Sequence, residues 1–362
     1  MTRILIVRLG AMGDVVHALP AVTALRAALP AAHIGWAIEE RWSALLCASG
    51  DECIARGSTM PLVDAIHFVN SKAWRAAPFS DETWAEGRST FSAMRAARYD
   101  AVLDFQGSLK SATVALLSGA GRRIGSAHPW ERVAALFYTH PVEVHSTHVV
   151  EQALEIASSV ISDTTSGVTS DTAPRHLHYI PPTLPLDPAA ERWAEQELAR
   201  RGTKRFALLH PGAGWGAKRW PAARYGEVAH ALAGRGITPL VNHGPDEQAL
   251  AQEVTRASGG SAAAVECSIS ELIALTRRAK LVIGGDTGPL HLAAALEIPI
   301  VALFGPTDPR RTGPFGTREV VLRSEMSTTS HKKKDTPDAG LLAITAERVI
   351  AAAASLLEGS RG

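Results

Sequence analysis

Three groups of residues have the types and spacing to act on a phosphorylated ligand. The first lies in the stretch 281–309, which reads strand, turn, helix, strand. Leu281-Val282-Ile283 is an apolar run stopped by Gly284-Gly285, and Leu290, Leu292, Ala293 and Leu296 give the next helix an apolar face. A second buried-type strand, 299–304, ends at Gly305-Pro306. A small-residue turn between strand and helix aims backbone N–H groups outward at the positive end of a helix dipole, which makes an anion site. Asp286, Thr287 and Gly288 form that turn, and His291 falls one turn into the helix near the same mouth. A plain helix cap made by Asp286 or Thr287 fits the same residues.

The second group precedes it. A strand at 206–209 runs into a glycine-rich loop, 210–221, that ends Lys218-Arg219-Trp220-Pro221. Lys218 can bring a point charge to a diphosphate, or it can be a surface lysine. After the next strand, Asp246 or Glu247 can accept hydrogen bonds from ribose hydroxyls. Together these loops suit a nucleotide-diphosphate sugar. The chain has no GxxxxGK[ST] motif and no carboxylate cluster spaced for Mg²⁺, so ATP hydrolysis and a metal site are not expected.

The third group is at the start. Ile4-Leu5-Ile6-Val7 reads as a buried strand, Gly10-Ala11-Met12-Gly13-Asp14 as a turn, and 15–28 as a helix with Val16, Leu19, Val22 and Leu25 on one face. The turn is not GxGxxG, which disfavours a Rossmann oxidoreductase. A carboxylate at a helix N-terminus is favoured by the dipole and can take a proton from an attacking hydroxyl. Asp14 fits that role and equally fits an N-cap. Lys72, Arg75, Lys110, Arg122, Arg123 and Arg132 stand near strand ends, where they can bind an acidic acceptor or form a solvated face.

Positioning these groups requires an alternation of strands and helices along the whole chain. Strands are expected at 34–38, 65–69, 101–105, 237–241 and 262–266, with helices at 81–97, 131–137, 148–161, 188–201 and 343–357 and a polar loop at 70–80. A capping box, Ser268-Ile269-Ser270-Glu271, opens another helix. The Ser-, Thr- and Pro-rich stretch 164–185 reads as a linker. The fold class is therefore α/β: two Rossmann-like domains with parallel sheets, 1–175 and 186–342, facing across a cleft. Ligands in such sheets lie beyond the carboxyl ends of the strands, where all the glycine loops fall.

Composition agrees with a globular chain of 362 residues, 46% hydrophobic and 20% charged. A net charge of +1 argues against a general nucleic-acid partner. Three cysteines, an odd number without metal-ligand spacing, suit a reducing compartment. No signal peptide is expected, since the apolar run at the start is short and holds Arg8, and no run approaches a membrane span.

These residues also resemble a known family. Residues 4–16, ILIVRLGAMGDVV, the loop ending Lys218-Arg219-Trp220-Pro221, and 285–293, GDTGPLHLA, followed by Phe304-Gly305-Pro306-Thr307-Asp308-Pro309, resemble glycosyltransferase family 9, the lipopolysaccharide heptosyltransferases. The resemblance covers nearly the whole chain. Within the family, Trp36-Ala37-Ile38-Glu39-Glu40, residues 104–111 and Leu136-Phe137-Tyr138 are most similar to the members that move heptose from ADP-heptose to the first Kdo sugar of Kdo2-lipid A.

The resemblance implies a GT-B fold with the acceptor domain first, the donor domain second and the final helix, 343–362, packing back onto the first. It implies an inverting transfer without metal or cofactor, by a cytoplasmic protein peripheral to the inner membrane. Asp14 matches the catalytic base. Lys218, Asp286, Thr287, Gly288 and His291 match the donor site, with Asp246 near the ribose. Lys72, Arg75, Lys110 and Arg132 are the acceptor candidates. One departure is that Ala76 and Ala77 stand where the family's acceptor loop is basic. Alternatives are a family member with another acceptor, such as the second-heptose transferase, and a nucleotide-sugar binder without turnover. The polar stretch 327–340 has no role in this reading.

Overall fold

The computed structural model describes residues 2–48, 55–164, 176–330 and 334–358. They divide into two compact units that meet in sequence between Leu186 and Asp187. Of the expected linker, residues 165–175 lie outside the described residues, as does Cys53.

In the first unit the order is β1 (Arg3–Val7), α1 (Met12–Ala28), β2 (His33–Ile38), β3 (Ala65–Phe68), α2 (Ser71–Ala76), α3 (Asp81–Ala96), β4 (Ala101–Asp104), α4 (Leu109–Leu117), β5 (Arg122–Ser126), β6 (His140–Val142) and α5 (Val149–Thr164). The sheet is parallel throughout, in the order β3-β2-β1-β4-β5-β6. Leu5, Val7, Ala37 and Val102 are buried with Val114 and Ala115 of α4 and Met94 of α3 in one core.

The second unit repeats the plan: α6 (Pro188–Arg200), β7 (Phe206–His210), α7 (Ala222–Ala233), β8 (Thr238–His243), α8 (Gln248–Ala257), β9 (Ala263–Glu266), α9 (Ile269–Arg278), β10 (Leu281–Gly285), α10 (Gly288–Ala295), β11 (Ile300–Phe304), α11 (Pro309–Thr312), β12 (Glu319–Arg323), α12 (Ala339–Leu342) and α13 (Ala346–Glu358). Its parallel sheet runs β12-β11-β10-β7-β8-β9. Successive side chains of a strand point to opposite faces. Ala207 and Leu209 of β7 therefore pack with α7 and α13, while Phe206 and Leu208 pack with Leu275 of α9 and Leu290 of α10. Burial on both faces explains why these strands read as unbroken apolar runs.

In each unit the strand order reverses between the first and fourth strands, and the crevice beyond their carboxyl ends is the place for a ligand. In the first unit that point lies between β1 and β4, and in the second between β7 and β10. The turns carrying Asp14 and Lys110 follow β1 and β4, and those carrying Lys218 and Asp286 follow β7 and β10.

Three readings change. The loop 70–80 contains the short helix α2, and α3 begins where the Ser80 hydroxyl accepts from Thr83 N. The strands β6 and β12 escape the apolar pattern because both lie at sheet edges; β6 even carries Pro141, which an edge strand tolerates. The final helix, α13, buries Val349, Ala353 and Leu356 in the second unit's core, against α7 and β11. Cys47 is disulfide-bonded, which a reducing compartment does not lead one to expect, and Cys267 is a free thiol.

Candidate active site

Each unit carries a candidate group of residues at the switch point of its own sheet. In the first unit, Asp14 is the third residue of α1 rather than its cap: Ala11 is the N-cap and offers no side-chain bond. The Asp14 carboxylate reaches back instead, accepting from Ala11 N at 3.1 Å through Oδ2. Its Oδ1 lies 2.8 Å from Arg8 Nη2, and nearly half of the side chain stays exposed, 46%. Arg8 is itself largely buried and donates from Nη1 to Phe105 O, so one guanidinium joins the turn after β1 to the turn after β4. The carboxylate is thus aimed but open to an incoming hydroxyl.

The turn after β4 is built by a buried acid. Asp104 Oδ1 accepts from Gln106 N at 2.8 Å and Gly107 N at 3.2 Å, and Oδ2 accepts from Tyr138 OH at 2.8 Å. Burial pushes the Asp104 pKa up against these bonds. Ser108 caps α4 and leaves Lys110 on its first turn.

Lys110 meets Glu39, which follows β2. The distance from Lys110 Nζ to Glu39 Oε1 is 3.3 Å, and Nζ donates to Ser71 Oγ at 3.0 Å. Arg41 donates to Glu39 Oε2 at 2.7 Å and stacks over the Trp42 ring. Burial works to raise the Glu39 pKa, but Arg41 and Lys110 outweigh it and hold the carboxyl below its ordinary value. Two partly exposed cations are therefore fixed by one buried acid beside the Asp14 turn, to which Glu39 N bonds through Leu9 O at 3.0 Å. Lys72, Arg75 and Arg132 are exposed, the first two on α2 and the last at the start of the 3-10 turn Arg132–Phe137. Of the other basic candidates, Arg123 donates to Phe137 O and Ala120 O and serves the fold.

In the second unit, Lys218 closes a single 3-10 turn, Gly216–Lys218, at the end of the glycine loop. Its Nζ lies 2.6 Å from Asp286 Oδ2 and 4.8 Å from the centroid of the Trp215 ring. His291 Nε2 lies 2.9 Å from Asp286 Oδ1. All three side chains are nearly buried: 15% exposed for Lys218, 8% for Asp286 and 4% for His291. Burial works to raise the Asp286 pKa, yet His291 and Lys218 outweigh it and hold the carboxyl well below the usual carboxylate range. The lysine, the turn and the histidine are therefore one unit. Asp286 holds the Lys218 ammonium in place.

Thr287 is the N-cap of α10 by its backbone, with no side-chain cap bond, and its hydroxyl donates to Gly285 O at 3.3 Å. Thr287 and Gly288 thus stand at the positive end of a helix dipole, where an anion is favoured. Asp246 is exposed. Its neighbour Glu247 is the acid that lies on the glycine loop: a Cβ on Gly212 would fall 2.2 Å from its carboxylate oxygens. Glu247 Oε2 also accepts from Gly244 N at 3.2 Å.

Sequence reasoning missed Arg8 and Arg41, and named Glu39 only within the motif 36–40 that carries the resemblance. Arg8 had a signal: a cation within an otherwise apolar strand needs a buried partner. Arg41 had none, because its partner is revealed only by the sheet.

Comparison with known proteins agrees with this architecture. The family model described as "Glycosyltransferase family 9 (heptosyltransferase)" matches residues 88–341. The chain is 29% identical to lipopolysaccharide heptosyltransferase 1 of Escherichia coli K12, over 89% of this chain and 93% of that protein. It superposes on the E. coli heptosyltransferase WaaC with ADP at a TM-score of 0.74, with 26% identity, covering 98% of this chain and 100% of the other. The same enzyme with ADP-2-deoxy-2-fluoro heptose gives a TM-score of 0.73, with 26% identity over 99% and 100% of the two chains.

Proposed function

The chain belongs to glycosyltransferase family 9, and from that premise we propose that it transfers heptose from ADP-heptose to a Kdo sugar of Kdo2-lipid A. Transfer is inverting and needs no metal. It takes place at the cytoplasmic face of the inner membrane, to which the protein is peripheral; among the described residues no helix is long and apolar enough to cross a membrane.

The observation that carries this reading is the Lys218–Asp286–His291 unit at the second unit's switch point. Asp286 fixes Lys218 at the mouth of the α10 dipole, so a diphosphate meets a positive charge and backbone donors already in position. Charge grows on the diphosphate as the glycosidic bond breaks, and groups prealigned for that charge act most strongly in the transition state. Thr287 and Gly288 contact the phosphates, and Glu247 or Asp246 accepts from the ribose hydroxyls. In the first unit Asp14 takes the proton of the acceptor hydroxyl. The partly exposed cations Lys110 and Arg41 suit the carboxylate of an acidic sugar, with the exposed Lys72, Arg75 and Arg132 adding charge.

The second reading, a family member acting on a different acceptor, is favoured by one observation: α2 carries Ala76 and ends at Ala77 where more cations are expected. Incubation with ADP-heptose and Kdo2-lipid A separates the two. Release of ADP with a mass gain of one heptose on the acceptor is the expected result. ADP release only with an acceptor that already carries a heptose would replace this acceptor. ADP binding without transfer to either would leave a binding protein.

A further inference from the structure

The polar stretch before α12, which the functional reading leaves without a role, is tied to the donor loop. Both backbone groups of Ala217, next to Lys218, are bonded to it: Ala217 N donates to Lys334 O at 2.9 Å, and Asp338 N donates to Ala217 O at 3.2 Å. Gly216 is pressed against the same segment. A Cβ there would fall 1.8 Å from Asp335 O, so no other residue fits without displacing the backbone. The stretch is anchored at its other end as well, where Ser330 N donates to Pro306 O at 2.9 Å and Arg323 donates to Thr329 Oγ1 at 2.9 Å.

One side chain holds the inner end. Asp338 Oδ1 accepts from Ser327 Oγ at 3.1 Å and from Leu341 N at 3.1 Å, where Asp338 caps α12. The carboxylate thus joins the start and the end of the stretch while its own N–H grips Ala217. The 3-10 turn Gly216–Lys218 is too short to hold its shape alone. We infer that Asp338 is a positioning residue for the donor: through Ala217 it fixes the turn from which Lys218 reaches Asp286.

This inference rests on the proposed donor site, and ADP binding tests the two separately. Titration calorimetry with ADP is expected to show affinity weakened at least about fivefold in Asp338→Ala, the loss expected from one or two hydrogen bonds. Asp338→Asn keeps an oxygen at Oδ1 for both donors and restores near wild-type affinity. In a Lys218→Ala background Asp338→Ala has little further effect, because it acts through that lysine. A folded Asp338→Ala with wild-type affinity, or an equal loss with and without Lys218, overturns the inference. If Asp338→Ala does not fold, Ser327→Ala removes one of the two donors and is expected to weaken ADP about twofold or more; unchanged affinity there overturns it too. If the wild-type protein does not bind ADP, the donor site itself is refuted and this role falls with it.

Discussion

Lys218 Nζ lies 2.6 Å from Asp286 Oδ2, and this pair couples the loop after β7 to the turn after β10. Asp286 fixes the lysine beside the N-terminus of α10, so the proposed donor site leaves little ordering to occur when a diphosphate binds. Lys218→Ala is expected to weaken ADP binding by about ten- to a hundredfold, the scale of hydrogen bonds to charged groups. Turnover is expected to fall by about a hundredfold, since the charge on the leaving diphosphate is greatest in the transition state. Calorimetry with ADP and single-turnover rates measure the two losses. Wild-type values for both would return Lys218 to a purely structural ion pair.

On the proposed donor site Lys218 and the α10 N-terminus carry the diphosphate charge, so transfer is expected to proceed at the full rate in excess chelator. The measurement is initial ADP release with and without EDTA after exhaustive dialysis. A rate that collapses and recovers on adding Mg²⁺ or Mn²⁺ would show that these groups do not suffice.

Much of this was legible in the sequence, for a physical reason. Strands buried on both faces must be apolar along their whole length, and the turns at their ends must be small, so β1, β7, β10 and β11 and their glycine loops stand out in the text of the chain. Asp14, Lys218, Asp286 and His291 could be picked out because they sit at those ends. Partnerships across the sheet could not. That Glu39 binds Lys110, 71 residues away, depends on β2 and β4 flanking β1, an order that local periodicity does not encode. The same holds for Asp338 and Ala217.

The buried histidines set a limit on acid stability. Burial depresses the pKa of His67, which is bonded to Tyr99 OH at 2.7 Å, to about 4. His210 is likewise depressed to about 4. The unfolded chain binds protons at these residues from about pH 6.5 downward, whereas the folded chain does not until near pH 4. Protons therefore favour the unfolded state in that window, and stability falls as pH drops from 6.5 to 4. Asp286, depressed from the carboxylate range, adds a loss at still lower pH as its ion pairs are protonated. Denaturant midpoints across this range are expected to decline. His67→Gln, which does not titrate, is expected to flatten the decline; an unchanged slope would exclude His67 as a contributor.

Asp14 offers the sharpest test of the mechanism, because its structural and chemical duties use different properties of the side chain. Structurally it supplies one oxygen to Ala11 N and one to Arg8. Asn retains the first bond and loses the ion pair, which at this exposure is worth about 0–1 kcal/mol. Asp14→Asn is therefore expected to stay folded with a melting temperature lowered by only a few degrees. ADP affinity is expected to remain normal, because the proposed donor groups lie in the other unit. An amide cannot take up the acceptor's proton, however, and removing a positioned base costs roughly 10²–10⁴ in rate. The expected signature is an intact, ADP-binding protein that transfers heptose at least about a hundredfold more slowly. Arg8→Lys supplies a control: it keeps the charge but not the fork that links Asp14 to Phe105, so it is expected to slow transfer less than Asp14→Asn while the base remains. Near-normal turnover in folded Asp14→Asn would make the Arg8–Asp14 pair a helix-start device and take the base out of this turn.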